Sequence, residues 1–213
     1  MRLKRLIKPL KWWSFWADYF SYKNVLGEDR AVLEIGSGYA RTPGVFTIDI
    51  NPAVAPDILH DLDSFPWPIE DSSFDAVIMF SVIEHLGYPV RAIEECHRVL
   101  KPNGKIYLLT PHFSDSGSFI DPTHKWHFSA RSFDYFVSGT SFQKEYGFYS
   151  PARFRLARRL ISLKGFIDKL PFVQKLVNMH LAFWEDHLCF IVRGAGIYIE
   201  LEKLDSNAGK ALA

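Results

Sequence analysis

Acidic residues and glycines recur at intervals that suit a ligand site. In VLEIGSGYARTPGVFTIDIN, Val32 to Asn51, one apolar run ends at Gly36-Ser37-Gly38 and a second ends at Asp49. Glycines directly after a strand let the backbone turn tightly and approach a ligand with no Cβ in the way. A carboxylate at the carboxyl edge of a parallel strand can accept two hydrogen bonds from the hydroxyls of a ribose. A further acidic end follows in ILHDLDSFPW, where Asp61 and Leu62 could meet an adenine amino group and ring face. The spacing acidic-x-Gly-x-Gly-x-small is met by Glu34, Gly36, Gly38 and Ala40. The dinucleotide spacing G-x-G-x-x-G fails, because Arg41 stands at its third glycine, which disfavours a nucleotide-dependent oxidoreductase.

A second constellation lies in TPHFSDSGSFIDPTHKWHFS, where His112, Asp121, His124 and His127 are concentrated, with Trp126 and Phe128 as pocket walls. Histidine titrates near neutral pH and can take a proton from an acceptor group. His124 and His127, with Asp121 or His112, also have metal-like ligand types. General base, metal ligand and loop packing all stay open for each histidine, and no metal site is expected. Glu84 and His85, after the apolar burst FDAVIMF, could face the same pocket, but capping and packing account for them equally well.

The elements that must position these groups follow from the apolar pattern. Strand-length bursts rich in Val, Ile and Phe occur at Ala31–Ile35, Val45–Ile50, Asp57–Leu62, Phe74–Phe80 and Lys105–Thr110. PVRAIEECHRVLK reads as a helix opened by Pro89 and stopped at KPNG. Strand and helix in alternation argue for an α/β fold with a mostly parallel sheet. Between the first two strands YARTPGV is far too short for an ordinary crossover, and Pro43-Gly44 would break a helix. The first crossover helix is therefore expected to be missing or one turn long. In the second half SARSFDYFVSG reads as a short helix with Ser129 as N-cap and Gly139 as terminator. EYGFYSPARFRLARRLISL reads as strand material, GFIDKLPFVQKLVNMHLAFWEDH as helix interrupted by Pro171, and HLCFIVRGAGIYIELEKL as two strand-like runs around RGAG.

Together LEIGSG, FDAVIMFSVIEHL and RVLKPNGKIYLLTP resemble the class I S-adenosylmethionine-dependent methyltransferases, in the branch labelled methyltransferase type 11, over about Val32 to His112. The resemblance implies a Rossmann-like sheet of about seven strands with helices on both faces, and S-adenosyl-L-methionine as cofactor. It places Glu34, Gly36, Ser37 and Gly38 at the methionine end of the cofactor and Asp49 with Ile50 at the ribose. Asp61 and Leu62 would flank adenine, and Phe80 and Ser81 would line the floor after the fourth strand. It implies in-line methyl transfer, with oxygen favoured by the histidines; the basic, aromatic surfaces, not the motifs, suggest an unidentified small-molecule or lipid-linked/glycan acceptor. The alternative is a non-catalytic module of the same fold that binds the cofactor or its demethylated product.

The 213 residues suit one domain, 48% hydrophobic and 23% charged, with a formal net charge of +1. That balance does not point to nucleic acid. Cys96 and Cys189 read as buried free thiols, which fits a reducing cytoplasm. We divide the chain into a basic, aromatic helical appendage at 1–28, a methyltransferase-like domain at 29–204 with a basic helical insertion around 151–187, and a flexible tail at 205–213. The N-terminal stretch reads as neither signal peptide nor membrane span, since charges interrupt every apolar run well short of roughly 18–20 residues. Its arginines, lysines and tryptophans suit either a lid over the sheet or an interfacial helix at the inner face of an anionic membrane, as does the group Arg153, Arg155, Arg158, Arg159 and Lys164.

Overall fold

The computed structural model describes residues 30–165 and 170–204, so the N-terminal appendage and the tail lie outside the described residues. Seven strands form one sheet in the order β3-β2-β1-β4-β5-β7-β6. The strands are β1 (Val32–Ile35), β2 (Phe46–Asp49), β3 (Ile58–Leu59), β4 (Phe74–Phe80), β5 (Leu100–Pro111), β6 (Phe154–Leu163) and β7 (Gly194–Lys203). The first five run parallel, and β7 lies antiparallel between β5 and β6. β1 thus sits between β2 and β4, where the chain reverses its direction of travel across the sheet. In open α/β sheets such a switch point opens a crevice at the carboxyl ends of the strands.

Helix α1 (Pro89–Val99) links β4 to β5. Proline opens it, where its missing N–H costs nothing, and Ala92, Ile93, Cys96 and Val99 bury one face. These pack in a core that includes Leu33, Ile35, Val77, Met79, Ile106 and Leu108 from the central strands. A smaller cluster of Val32, Val45, Ala76, Ile78, Tyr107 and Tyr198 belongs to the alternate residues of the same strands, as the two-residue period of a strand requires. The short helices α2 (Gly117–Ile120), α3 (Ser141–Tyr146), α4 (Pro171–Met179) and α5 (Leu181–His187) follow. None of the described helices is long and apolar enough to cross a membrane.

Several local expectations shift in detail. The segment Ala130–Phe136 is a 3₁₀ helix, held by the expected Ser129 cap, which pairs reciprocally with Ser132. EYGFYS is helical rather than extended, because α3 and the 3₁₀ turn Gly147–Tyr149 stack Tyr135, Tyr146 and Tyr149 on one another. Of the two runs around RGAG only the second is a strand, since residues 188–192 form turns closing on α5. The arginines 155, 158 and 159 lie on β6, and the helical part of this region is 171–187. Cys96 and Cys189 are buried free thiols.

Candidate functional site

The β1–β2 crossover holds a single 3₁₀ turn, Gly38–Ala40, as its length and Pro43-Gly44 foretell. With no helix to brace it, the loop is fastened by side chains. Glu34 on β1 accepts from the Thr42 amide at 2.7 Å and from the Thr42 hydroxyl at 2.9 Å. Asp49, ending β2, accepts from the Gly38 amide at 2.9 Å and from the Asn51 amide at 2.8 Å. Arg41, at the position that spoils the dinucleotide pattern, pairs with Asp57 at 2.7 Å and reaches the Val45 carbonyl. Burial pushes the Glu34 pKa up, against the opposing pull of the Thr42 hydrogen bonds and Arg41.

Glycine is required at Gly36. Its φ is +62°, and a Cβ there would fall 2.5 Å from Val82 Cγ2 on the turn after β4. Gly38 has φ +52° and open space where a Cβ would stand. The other edge residues line up at neighbouring strand ends. Ile50 is exposed, Asp61 is exposed with Oδ1 accepting from the Asp63 amide, and Ser81 is exposed with φ +54°. Ser37 is buried and Phe80 half-buried. The Leu62 side chain lies in the main core, and its carbonyl accepts from Trp67 Nε1 at 3.0 Å.

The histidine-bearing segment folds back onto the turn after β4. The amides of Lys125 and Trp126 donate to the Glu84 carbonyl at 2.8 and 3.3 Å, and Trp126 Nε1 donates to the Leu86 carbonyl at 2.8 Å. His112 stands apart from the other candidates: it is fully buried. Ser114 donates its amide to His112 Nδ1, and the Ser114 hydroxyl, which already accepts from the Gly194 amide, turns its proton to the same nitrogen. The opposite nitrogen, Nε2–H, then donates to Glu185 Oε1 at 3.1 Å. Glu185 also accepts from Ser129, the Ala130 amide and Arg131. Burial pushes the Glu185 pKa up, but these donors outweigh it and hold the carboxyl below its usual value.

His127 is exposed, hydrogen-bonded through Nδ1 to the Ser118 hydroxyl and stacked on Phe119 at 3.9 Å. Exposed Asp121 accepts from the Thr123 amide and hydroxyl. The side chains that do converge are Glu84, His85 and His124, so the two histidines expected to act together, His124 and His127, face different neighbours. Glu185 is the site residue that spacing did not single out, whereas the sequence leaves Glu84 and His85 open to a pocket role or to capping and packing alike. Glu185 sits on a separate helix 73 residues from His112 along the chain, and no local pattern announces it. An apolar cavity of about 360 Å³ adjoins this segment between Tyr88, Ile93, Trp126 and Phe133, and none of the glycine-loop residues lines it.

Residues 33–108 match the family described as "Methyltransferase domain". A Mycolicibacterium smegmatis protein named "Probable S-adenosylmethionine-dependent methyltransferase" is 35% identical over 91 residues, which cover 42% of this chain and 30% of that one. The chain therefore spans less than a third of that curated relative's length. Among solved structures, a SAM dependent methyltransferase from Archaeoglobus fulgidus superposes with a TM-score of 0.61 at 18% identity, covering 88% of this chain and 92% of that one. The 4+2 cyclase SpnF superposes with a TM-score of 0.54 at 16% identity, covering 89% and 81%. Residues 33–108 thus carry the sequence pattern of a methyltransferase domain, and the chain has the fold of S-adenosylmethionine-dependent methyltransferases.

S-adenosyl-L-methionine is the cofactor that the methyltransferase domain implies, and the edge fits it. A carboxylate has about four acceptor positions, and Asp49 spends two of them on amides, which leaves room for two ribose hydroxyls. The backbone of Gly36–Gly38 meets that edge with no side chain over Gly38. Glu34 likewise accepts one hydrogen bond on each oxygen, both from Thr42, and so braces the loop that would hold the methionine end.

Proposed function

We propose that this chain transfers a methyl group from S-adenosylmethionine to an oxygen of a small-molecule or lipid-linked glycan acceptor. The observation that carries the reading is the docking of the histidine segment onto the turn after β4, at the carboxyl edge that holds Gly36, Gly38 and Asp49. The bound sulfonium supplies an electrophilic methyl, and the protein's own part is to align the nucleophile and relieve it of a proton. Asp49 and the glycine loop orient the cofactor. Exposed His127, with its Nδ1 fixed by Ser118, supplies the base. His112, enclosed between Ser114 and Glu185, holds the segment in place instead.

Exposed apolar side chains beside this segment favour an acceptor with a greasy portion. Phe119, Ile120, Phe190 and Ile191 are all at least 60% exposed, and Phe190 packs edge-on against Phe113. The cavity beside Trp126 adds apolar room. The same surface supports peripheral contact with a membrane.

Incubating the protein with methyl-radiolabelled S-adenosylmethionine and cell extract, then separating lipid from aqueous fractions, tests the reading. Label is expected in an organic-soluble product that base hydrolysis or glycosidase treatment releases. Tight cofactor binding with no label in either fraction would favour the alternative, a binding module; the fold alone does not decide this, since SpnF shares it and is a cyclase.

A further inference from the structure

Glu84, on the 3₁₀ turn Ile83–His85, is 1% exposed; its Oε2 accepts from the Thr110 hydroxyl at 2.9 Å, and its Oε1 has no hydrogen-bond partner among the described residues. One ligand atom from each of Glu84, His85 and His124 lies within 4.8 Å of the others. The neighbours of the two rings fix their tautomers. Thr123 Oγ1 gives its proton to Asp121 Oδ1, so it accepts from His85 Nδ1–H at 2.8 Å. His124 Nδ1–H donates to the Ser118 carbonyl at 3.0 Å. Each ring therefore carries its free lone pair on Nε2, the rings meet edge to face with centroids 4.6 Å apart, and the third group is an unpaired carboxylate oxygen. A buried carboxylate beside two half-buried imidazoles is a set of electron-pair donors that a cation between them would satisfy.

We propose that Glu84, His85 and His124 bind one divalent transition-metal ion, with zinc the best match, and leave a coordination position open. Two imidazoles and a carboxylate are a ligand set of catalytic zinc sites, whereas magnesium and calcium prefer oxygen alone. The hydrogen bonds on both Nδ1 atoms are the supporting contacts that metal-bound histidines require. Tetrahedral bonds of about 2.1 Å set ligand atoms about 3.4 Å apart, so atoms within 4.8 Å of one another need close by at most about 1.4 Å. Such an ion would tie the histidine segment to the turn after β4, reinforcing the amide bonds to the Glu84 carbonyl. The inference rests on these side chains and not on methyl transfer.

The test is a titration of the untagged, chelator-stripped full chain with Co²⁺, followed by visible absorption, and with Zn²⁺ in competition. One Co²⁺ per chain with the intense bands of a four-coordinate ion, displaced by Zn²⁺, is expected. Affinity should fall at least 10-fold in Glu84→Gln, His85→Ala and His124→Ala, and 10- to 100-fold in Thr123→Ala, which removes only the support of His85. His127→Ala should bind as wild type does. Absence of the bands in the wild-type protein, which needs no variant to fold, would overturn the proposal. So would wild-type affinity in a folded His85→Ala/His124→Ala double variant.

Discussion

The Gly38 amide donates to Asp49 Oδ2 at 2.9 Å, so the glycine loop closes directly on the carboxylate of the next strand. Asp49 thus fastens the loop, and under the proposed function it also meets the ribose. Asp49→Ala should weaken S-adenosylmethionine binding roughly 10- to 100-fold, or about 1.5–3 kcal/mol, by calorimetry. Wild-type affinity in that variant would remove Asp49 from the cofactor site.

Gly36 tests how tightly the loop is seated. Gly36→Ala should cost about 1–3 kcal/mol in denaturant unfolding, because it combines a positive φ with an overlap against Val82. Adding Val82→Ala should return the overlap but not the backbone cost. Purely additive losses would mean that the two residues do not collide.

Glu34 predicts a pH dependence. Its folded-state pKa is raised by burial, so folding favours the protonated form. Stability from this source is full below the unfolded pKa and is lost as pH rises through the folded value. From about pH 4.5 upward, wild type should lose stability relative to Glu34→Gln, which keeps an acceptor for the Thr42 amide but does not ionise. Unfolding curves of the two proteins that stay parallel from pH 4 to 8 would show that Glu34 carries no such penalty.

Gly194 lies against the buried histidine. A Cβ there would stand 2.7 Å from His112 Nδ1 and 2.9 Å from Trp184, both enclosed. Gly194→Ala should destabilise by about 1–3 kcal/mol, and its effect should shrink in a His112→Ala background, where the ring is gone. An equal loss in both backgrounds would place the strain elsewhere.

Turnover separates the exposed histidine from the enclosed one. His127→Ala should lower methyl transfer about 100-fold while sparing cofactor affinity, the scale of a lost general base. His112→Ala should instead lower the melting temperature, since Glu185 loses a buried donor. Unchanged turnover in His127→Ala would leave that ring to its packing on Phe119.

The glycine turn and the acidic strand ends were readable because each of these parts is local. Gly36, Gly38 and Asp49 follow directly from strand ends, and the missing first helix follows from the seven residues Tyr39 to Val45 that replace it. Leu62 was less readable: an apolar residue after a strand can face a ligand or the core, and only packing against the neighbouring core residues decided for the core. Among the histidines, composition picked out the segment but not the partners. His112 answers to Glu185, and His124 to His85 and Glu84, each across a break in the chain.

By itself the sequence determined which segments are the parallel strands, the glycine turn and the acidic strand ends, because backbone sterics and apolar periodicity act within a few residues. Only the tertiary structure decided that Glu34 and Asp49 clamp the shortened crossover, that His112 is walled in, and that Glu84 meets two imidazoles. Those outcomes depend on hydrogen-bond directions and burial between elements distant in the chain, which no spacing along it encodes.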